Sequence, residues 1–246
     1  MNQDTICAIA TANGIGAIGI IRISGNDAFK IASKIFDGKN LEKVDSHTVH
    51  YGYIVDREME VGSGKMEEVQ TDTINYQSSS TNYEIIDEVM VSVFKAPKTF
   101  TSEDSVEISF HGSPHIAKKI LEVLTKNGAR LAKAGEFTMR AFMNGRIDLS
   151  QAESIADLIA SENEASRKVA LNQLKGGITN EISILRNDLL NFTSLIELEL
   201  DFGEEDVEFA DRTAMNKLLL NLRTKLSALI ESFQYGNALK NGVEVA

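Results

Sequence analysis

The hydrophobic pattern of this chain changes its period between residues 125 and 135. Before that point, short apolar runs with alternating polar residues predict strands, and helices are expected over 26–36 and 114–126. After it, apolar residues recur every three or four positions, which is typical of amphipathic helices. The chain is therefore expected to be an α+β domain, residues 1–125, followed by an all-α helical domain, residues 126–246.

Each half contains sequence signals that mark where its elements begin and end. The strands expected in the first half are TICAIAT, AIGIIRIS, HTVHYGYIV, IDEVMVSVFKA and SVEISFHG. Residues 56–84 are polar and aperiodic, which predicts a long loop. In the second half, Asp148 and Gln151 form a plausible capping pair, and Gly176 and Gly177 predict a kink or break.

Two heptad-like seams lie in the second half, separated by the acidic stretch DFGEEDVEF. We interpret them as intramolecular core, with a partner-binding coiled coil as the alternative. The seam residues are Ile178, Ile182, Leu185, Leu189, Phe192 and Ile196, then Met215, Leu219, Leu222, Leu226, Leu229 and Phe233.

The stretch NGIGAIGIIRISG has the G-x-G-x-x-G spacing of dinucleotide-binding turns at Gly14, Gly16 and Gly19. That fingerprint requires a helix that begins at the glycines and presents free N–H groups to the pyrophosphate. Here the glycines lead into a run of isoleucines, which is a strand pattern. A glycine-rich turn between two strands is therefore the favoured interpretation.

Composition limits the classes of function. The formal charge is −11, and only residues 126–180 are slightly basic, so we expect this chain alone to bind RNA weakly. The single cysteine, Cys7, cannot form an internal disulfide, which favours a reducing, cytoplasmic setting. Neither a membrane span nor a signal peptide is evident. The histidines and Cys7 do not form a convincing metal-binding pattern, and no activated nucleophile is indicated.

Two of the charged residues inside predicted strands, Arg22 and Glu107, are candidate site residues. Arg22 interrupts an isoleucine run, and a buried guanidinium needs an anionic or planar partner. In SVEISFH, alternation places Val106, Ile108 and Phe110 on one face and Glu107, Ser109 and His111 on the other. One interpretation is an internal ion pair between Arg22 and Glu107, or two separately solvated groups. The alternative is a ligand site in which the carboxylate accepts paired N–H donors and the arginine binds an acidic group.

A third candidate residue is Arg146, which follows the Asn144–Gly145 turn at the junction of the two halves. A cation there could face the first domain, whereas the simpler interpretation is a solvated turn residue.

Four separated motifs resemble those of the tRNA modification GTPase family called MnmE or TrmE, and they occur in the family's order. The matching stretches are DTICAIAT with GIGAIGIIRISG, APKTFTSEDSVEISFHGS, AGEFTMRAFMNGRIDLSQAESIADLIAS and DFGEEDVEF. The resemblance covers essentially all 246 residues. In that family a GTP-binding domain would follow, and this chain, which has no G-x-x-x-x-G-K-[ST] motif, is expected to lack the GTPase site.

The resemblance implies an aminomethyltransferase-like folate-binding fold that also forms a homodimer. It implies binding of 5-formyltetrahydrofolate or 5,10-methylenetetrahydrofolate, with Arg22, Glu107 and Arg146 as the folate-binding residues and no catalytic or metal residues in this chain. A flavin-dependent partner protein, tRNA bound mainly through the complex, and GTP, magnesium and potassium acting through the further domain are also implied. The family's reaction adds an aminomethyl-type group to carbon 5 of the wobble uridine.

Some positions depart from the family pattern. Residues 12–15 read Ala-Asn-Gly-Ile instead of Pro-Pro-Gly-Arg, residues 111–113 read His-Gly-Ser instead of His-Gly-Gly, and the loop at 56–84 is longer than usual. Two other functions therefore stay open, namely a stand-alone folate-dependent aminomethyltransferase and a structural dimerisation module whose ligand site has decayed.

Overall fold

The computed structural model describes residues 4–57, 83–201 and 212–241, and the chain forms two compact units that divide after Arg146. The sequence pattern predicts this division at 125/126. The observed division lies later in the chain, because the first unit continues through a short strand and a short helix that contain no long apolar run. Most of the loop predicted over 56–84, the acidic stretch after residue 201 and residues 242–246 lie outside the described residues.

Within its described residues, the first unit contains one mixed sheet and three helices. Its strands are β1 (Ile6–Ile9), β2 (Ile18–Ser24), β3 (Phe36–Asp37), β4 (Thr48–Asp56), β5 (Glu84–Phe94), β6 (Ser105–His111) and β7 (Arg130–Leu131). Its helices are α1 (Ala28–Ile35), α2 (Pro114–Lys126) and α3 (Glu136–Met143). The five predicted strands and two predicted helices are all present, which confirms an α+β first domain. Alternation could not predict β3 and β7, because each has only two residues.

The strand order in the sheet is β3-β4-β5-β6-β2-β1-β7. Every neighbouring pair is antiparallel except β1 with β7. Strands β2 and β6 are therefore central, and residues that face each other across them lie far from the sheet edges.

Helices α1 and α2 bury their apolar sides against one face of the sheet. In β6, Val106, Ile108 and Phe110 belong to this core and are at most 4% exposed, as the alternation predicts. Glu107 lies on the opposite face, which we call the open face because neither α1 nor α2 covers it. The one-sided packing explains why a charged residue is tolerated in the middle of a central strand.

The glycine-rich stretch joins β1 to the antiparallel strand β2, so the turn interpretation is confirmed. Gly14 has a φ of +136°, which an L residue rarely adopts. Gly19 is needed for a different reason, because a Cβ there would lie 2.4 Å from Phe110 Cζ. The glycines thus serve a turn and a close packing contact, not the start of a helix.

The second unit is helical, as predicted. Its helices are α4 (Leu149–Ile159), α5 (Glu164–Leu174), α6 (Gly177–Asp201) and α7 (Arg212–Asn241). The predicted capping box is present, since Asp148 Oδ1 accepts from the Gln151 backbone N–H at 2.8 Å and Gln151 Oε1 accepts from the Asp148 N–H at 2.9 Å. The predicted break also occurs between α5 and α6, where Gly176 has a φ of +80°.

The seams are only partly packed. Leu185 is buried, but Ile182, Leu219 and Leu226 are each about half exposed. The intramolecular core expected from the seams is therefore incomplete among the described residues. None of the described helices combines the length and apolar character needed to cross a bilayer.

Candidate functional site

Two central strands bring a guanidinium and a carboxylate together on the open face. Arg22 of β2 is directly opposite Glu107 of β6. Its Nε atom donates to Glu107 Oε1 at 2.8 Å, and its Nη2 atom lies 2.7 Å from the same oxygen. Among the described residues, no hydrogen bond reaches Oε2 of the same carboxylate. The internal ion pair considered from the sequence is therefore present, and both side chains are about one quarter exposed.

This ion pair forms part of the wall of a cavity of about 400 Å³. Such a volume is typical of a small-molecule site. The cavity brings together all three predicted site residues, although each comes from a different part of the chain. The residues that line it are Arg22, His47, Phe94, Lys98, Thr99, Phe100, Ser105, Glu107 and Arg146.

Arg146 reaches the cavity from the turn that follows α3. The turn is shaped by Gly145, whose φ is +72°, and by a hydrogen bond from Asn144 Nδ2 to the Thr101 carbonyl at 2.7 Å. Cζ of Arg146 lies 5.5 Å from the centre of the Phe100 ring, and Cζ of Arg22 lies 5.1 Å from the same centre. A single aromatic ring therefore contacts two guanidinium groups of the site.

The charges in the lining favour an anionic ligand. Arg22, Lys98 and Arg146 are cations, whereas Glu107 is the one carboxylate among the lining residues. Glu107 is paired with Arg22. Within the described ranges, neither Lys98 nor Arg146 has a carboxylate partner. Among the described residues, the cavity thus combines one carboxylate, held in an ion pair, with two uncompensated cations, although the whole chain carries a charge of −11.

A buried ion cluster supports the segment that carries Phe100. Arg140 Nη2 lies 2.7 Å from Asp4 Oδ1, and its Nη1 lies 3.3 Å from both oxygens of Glu103. Arg130 pairs with Asp4 and with Glu136. The hydrogen bond from Arg130 lowers the pKa of Glu136 to about 2, against the opposing effect of burial. The cluster ties Asp4, two residues before β1, together with β7 and α3 to residue 103.

Sequence reasoning missed several lining residues, among them Lys98, Thr99 and Phe100. They lie between β5 and β6 in a segment without regular structure, so no periodicity indicates which way they point. The only available signal was their place in the stretch APKTFTSED, which belongs to one of the family motifs.

Other reactive groups lie elsewhere. His111 Nδ1 is 2.8 Å from Asp87 Oδ1, and this hydrogen bond raises the pKa of the imidazole. Burial raises the pKa of Cys7 to about 11, which agrees with the inert thiol inferred from the sequence. Within residues 4–57, 83–201 and 212–241, no three His, Cys, Asp or Glu side chains are arranged to hold a metal ion.

A larger groove of about 900 Å³ lies between the β1–β2 turn and α2. Among the described residues, its lining is mainly glycine and apolar side chains, with Lys118 and Glu122 as the charged members. Its other polar lining residues, Thr11, Asn13, Ser113 and Thr125, are uncharged, and the predicted site residues line the smaller cavity, which is why we assign the candidate site to the latter.

Apolar side chains cover the open face beside the cavity. Tyr51 of β4 is opposite Met90 of β5, which is opposite Ser109 of β6, and directly opposed residues share a face. Five apolar residues on this face form what we call the open-face patch. They are Ile18, Val49, Tyr51, Tyr53 and Met90, and they are between 36% and 63% exposed. Clustered exposed apolar residues of this kind mark interaction surfaces.

Two family models match the chain. The model described as GTP-binding protein TrmE N-terminus matches residues 5–146, and the model described as MnmE helical domain matches residues 149–244. Their boundary coincides with the division between the two compact units.

Curated proteins with the name tRNA modification GTPase MnmE are similar over nearly the whole chain. The protein from Flavobacterium johnsoniae is 50% identical and covers 100% of this chain, which spans 48% of that protein. The protein from Cytophaga hutchinsonii is 52% identical, and the match covers 98% of this chain and 47% of that protein. The protein from Bacteroides thetaiotaomicron is 50% identical, and the match covers 100% of this chain and 48% of that protein. The chain thus spans about half the length of these relatives. On these matches, the chain belongs to the TrmE (MnmE) family of GTP-binding proteins, with residues 5–146 corresponding to its N-terminal domain and residues 149–244 to its helical domain.

Proposed function

We propose that this chain is the folate-binding and dimer-forming part of a tRNA modification GTPase. The observation that supports this most directly is the convergence of Arg22, Glu107 and Arg146 on one cavity. These residues lie in β2, in β6 and after α3, and family resemblance selects the same three for folate. A ligand is a better explanation of the convergence than stability, because Arg146 is exposed and has no carboxylate partner among the described residues.

The proposed ligand is a tetrahydrofolate with a one-carbon unit, either 5-formyltetrahydrofolate or 5,10-methylenetetrahydrofolate. Glu107 is suited to accept hydrogen bonds from the amino group and ring N–H of the pterin, because Oε2 has no partner among the described residues. Arg22 and Arg146 supply positive charge for the carbonyl and carboxylate groups of the remainder. The aromatic Phe100 adds an apolar surface to the same cavity.

For the whole protein, we propose a GTP hydrolase that acts in tRNA modification, since the similar curated proteins carry the name tRNA modification GTPase MnmE. In this proposal a flavin-dependent partner protein helps to add an aminomethyl-type group to carbon 5 of the wobble uridine. GTP, magnesium and potassium act through a domain outside this chain. The cytoplasm is the proposed location, which is supported by the tRNA substrate and by the single, buried cysteine.

We also propose that the first unit forms a homodimer through the open-face patch. The patch lies beside the Arg22–Glu107 pair, on the face that α1 and α2 leave uncovered. Its exposed tyrosine and methionine side chains are residue types enriched in protein interfaces. A second copy is the proposed occupant because the five patch residues carry no charge, although Glu88, opposite Tyr53, shares their face, and two negatively charged chains associate best where the surface charge is lowest.

Calorimetric titration of the chain with 5-formyltetrahydrofolate tests the ligand assignment. We expect saturable binding with one ligand per chain. An absence of heat at high protein concentration, together with an absence of any shift in melting temperature, would reject folate binding and favour the purely structural module.

A further inference from the structure

The charged residues that line the cavity fall into two groups that differ in exposure. Glu107 and Arg22, which we call the base, belong to central strands and are about one quarter exposed. Lys98 and Arg146, which we call the mouth, belong to the segment after β5 and to the turn after α3, and both are exposed. Among the described lining residues, the ion pair compensates the charge of the base, whereas the mouth consists of cations only.

The two arginines of the site lie close enough to repel one another. Because both guanidinium carbons contact the Phe100 ring, they are at most about 11 Å apart, which is well within the Debye length of about 30 Å at low ionic strength. Glu107 compensates one of the two charges. Lys98 lines the same cavity and adds a further positive charge. A bound anion at the mouth would relieve this repulsion, while a neutral ligand group would leave it in place.

We propose that Lys98, with Arg146, forms a carboxylate subsite that binds the dicarboxylate glutamate end of the ligand. This inference rests on the proposed function, and it adds Lys98 as a residue that determines specificity for ligands with an acidic tail. A carboxylate is the favoured anion because the lining contributes side-chain cations and no helix N-terminus, the backbone feature that commonly holds phosphate.

A thermodynamic cycle between protein and ligand tests the subsite. Wild type and Lys98→Ala are titrated calorimetrically at low salt with 5-formyltetrahydrofolate and with 5-formyltetrahydropteroate, which lacks the glutamate. We expect wild type to bind the folate about tenfold more tightly than the pteroate, and Lys98→Ala to weaken folate binding about fivefold, as expected for a surface ion pair. The variant should bind the pteroate as wild type does.

Lys95→Ala is the matched control, since Lys95 lies in the same segment but does not line the cavity. It should bind both ligands as wild type does. Equal weakening of both ligands by Lys98→Ala, or equal affinity of wild type for the two, would overturn the subsite while leaving folate binding intact. Failure of both ligands to bind wild type would instead overturn the proposed function and the subsite together. Displacement of the folate by inorganic phosphate, beyond that by chloride at equal ionic strength, would overturn the carboxylate assignment in favour of phosphate.

Discussion

Arg22 and Glu107 are joined through a single carboxylate oxygen, because Nε of the arginine donates to Oε1 and Nη2 lies 2.7 Å from the same oxygen. The usual bidentate pair would use both oxygens. The arrangement holds the carboxylate in place and leaves Oε2 without a partner among the described residues. An ion pair of this form can orient a ligand-binding carboxylate, so the two interpretations left open by the sequence are compatible with each other.

The substitution Glu107→Gln tests the role of this carboxylate. We expect it to weaken binding of 5-formyltetrahydrofolate by about 2 kcal/mol or more, because it removes a charge-assisted hydrogen bond and leaves a ligand N–H unmatched. Isothermal titration calorimetry measures the change, and the melting temperature shows whether the fold is kept.

Glu88→Gln is the matched control for that substitution. Glu88 is an exposed carboxylate on the neighbouring strand β5 and does not line the cavity. It should bind folate as wild type does. Equal affinity of Glu107→Gln and wild type would remove Glu107 from the ligand site and leave the Arg22 pair as a purely structural contact.

Regular alternation made the open-face position of Glu107 predictable. The apolar residues of SVEISFH face the core, and strict alternation therefore places Glu107 on the opposite face of the sheet. The strand positions of Arg22 and Cys7 followed from the short apolar runs AIGIIRIS and TICAIAT. Arg146 was a candidate because a cation at the junction could face the first domain, and its folate-binding role was implied by the family resemblance.

Long-range contacts determine the features of the site and of the domain boundary that the sequence pattern could not predict. The segment containing Lys98 and Phe100 has no period, and its position depends on the Arg140–Glu103 ion pair and on the hydrogen bond from Asn144 to Thr101. These contacts join residues that are about forty positions apart, which pattern reasoning over a short window cannot detect. The same contacts carry the first unit past residue 125 to Arg146.

Gly19→Ala tests whether the G-x-G-x-x-G spacing serves packing. A Cβ at this position would lie 2.4 Å from Phe110 Cζ, and the Phe110 ring is buried, so it has little room to move. We expect a loss of about 1–3 kcal/mol in the free energy of unfolding, as is usual for overpacking. Urea denaturation measures it.

Gly16→Ala is the control for this comparison. The nearest atom to the Cβ added in this variant is the Ile18 carbonyl oxygen, at 3.7 Å. The free energy of unfolding of Gly16→Ala should therefore stay close to that of wild type. Similar stabilities for Gly19→Ala and wild type would contradict the packing explanation.

The buried ion cluster predicts an acid-dependent loss of stability. Glu136 is 5% exposed, and its pKa falls from 4.5 to about 2, mainly through the hydrogen bond from Arg130. A carboxyl whose pKa is lower in the folded state stabilises fully above pH 4.5, and this stabilisation is lost as the pH falls towards 2. The contribution is on the order of 3 kcal/mol.

Urea denaturation between pH 2 and 5 measures this effect. The free energy of unfolding of wild type should rise steeply with pH across that range, and the rise should be smaller in Glu136→Gln. Glu122→Gln removes an exposed carboxylate 3.8 Å from Lys118, so it should keep the wild-type slope. A wild-type dependence of the free energy of unfolding on pH in Glu136→Gln would show that Glu136 does not cause the acid-dependent loss of stability.

The open-face patch predicts that one charged substitution can separate the proposed dimer. Met90 is 51% exposed in the centre of the patch, opposite Tyr51, and burying a carboxylate there against an apolar partner is costly. Sedimentation velocity should find wild type as a dimer and Met90→Glu as a monomer with an unchanged circular dichroism spectrum. Met139→Glu, at an equally exposed methionine on α3, should remain a dimer because α3 lies outside the patch. A monomeric wild type, or a dimeric Met90→Glu, would show that the patch is not the interface, since a glutamate at its centre cannot be accommodated in a dry contact between two negatively charged chains.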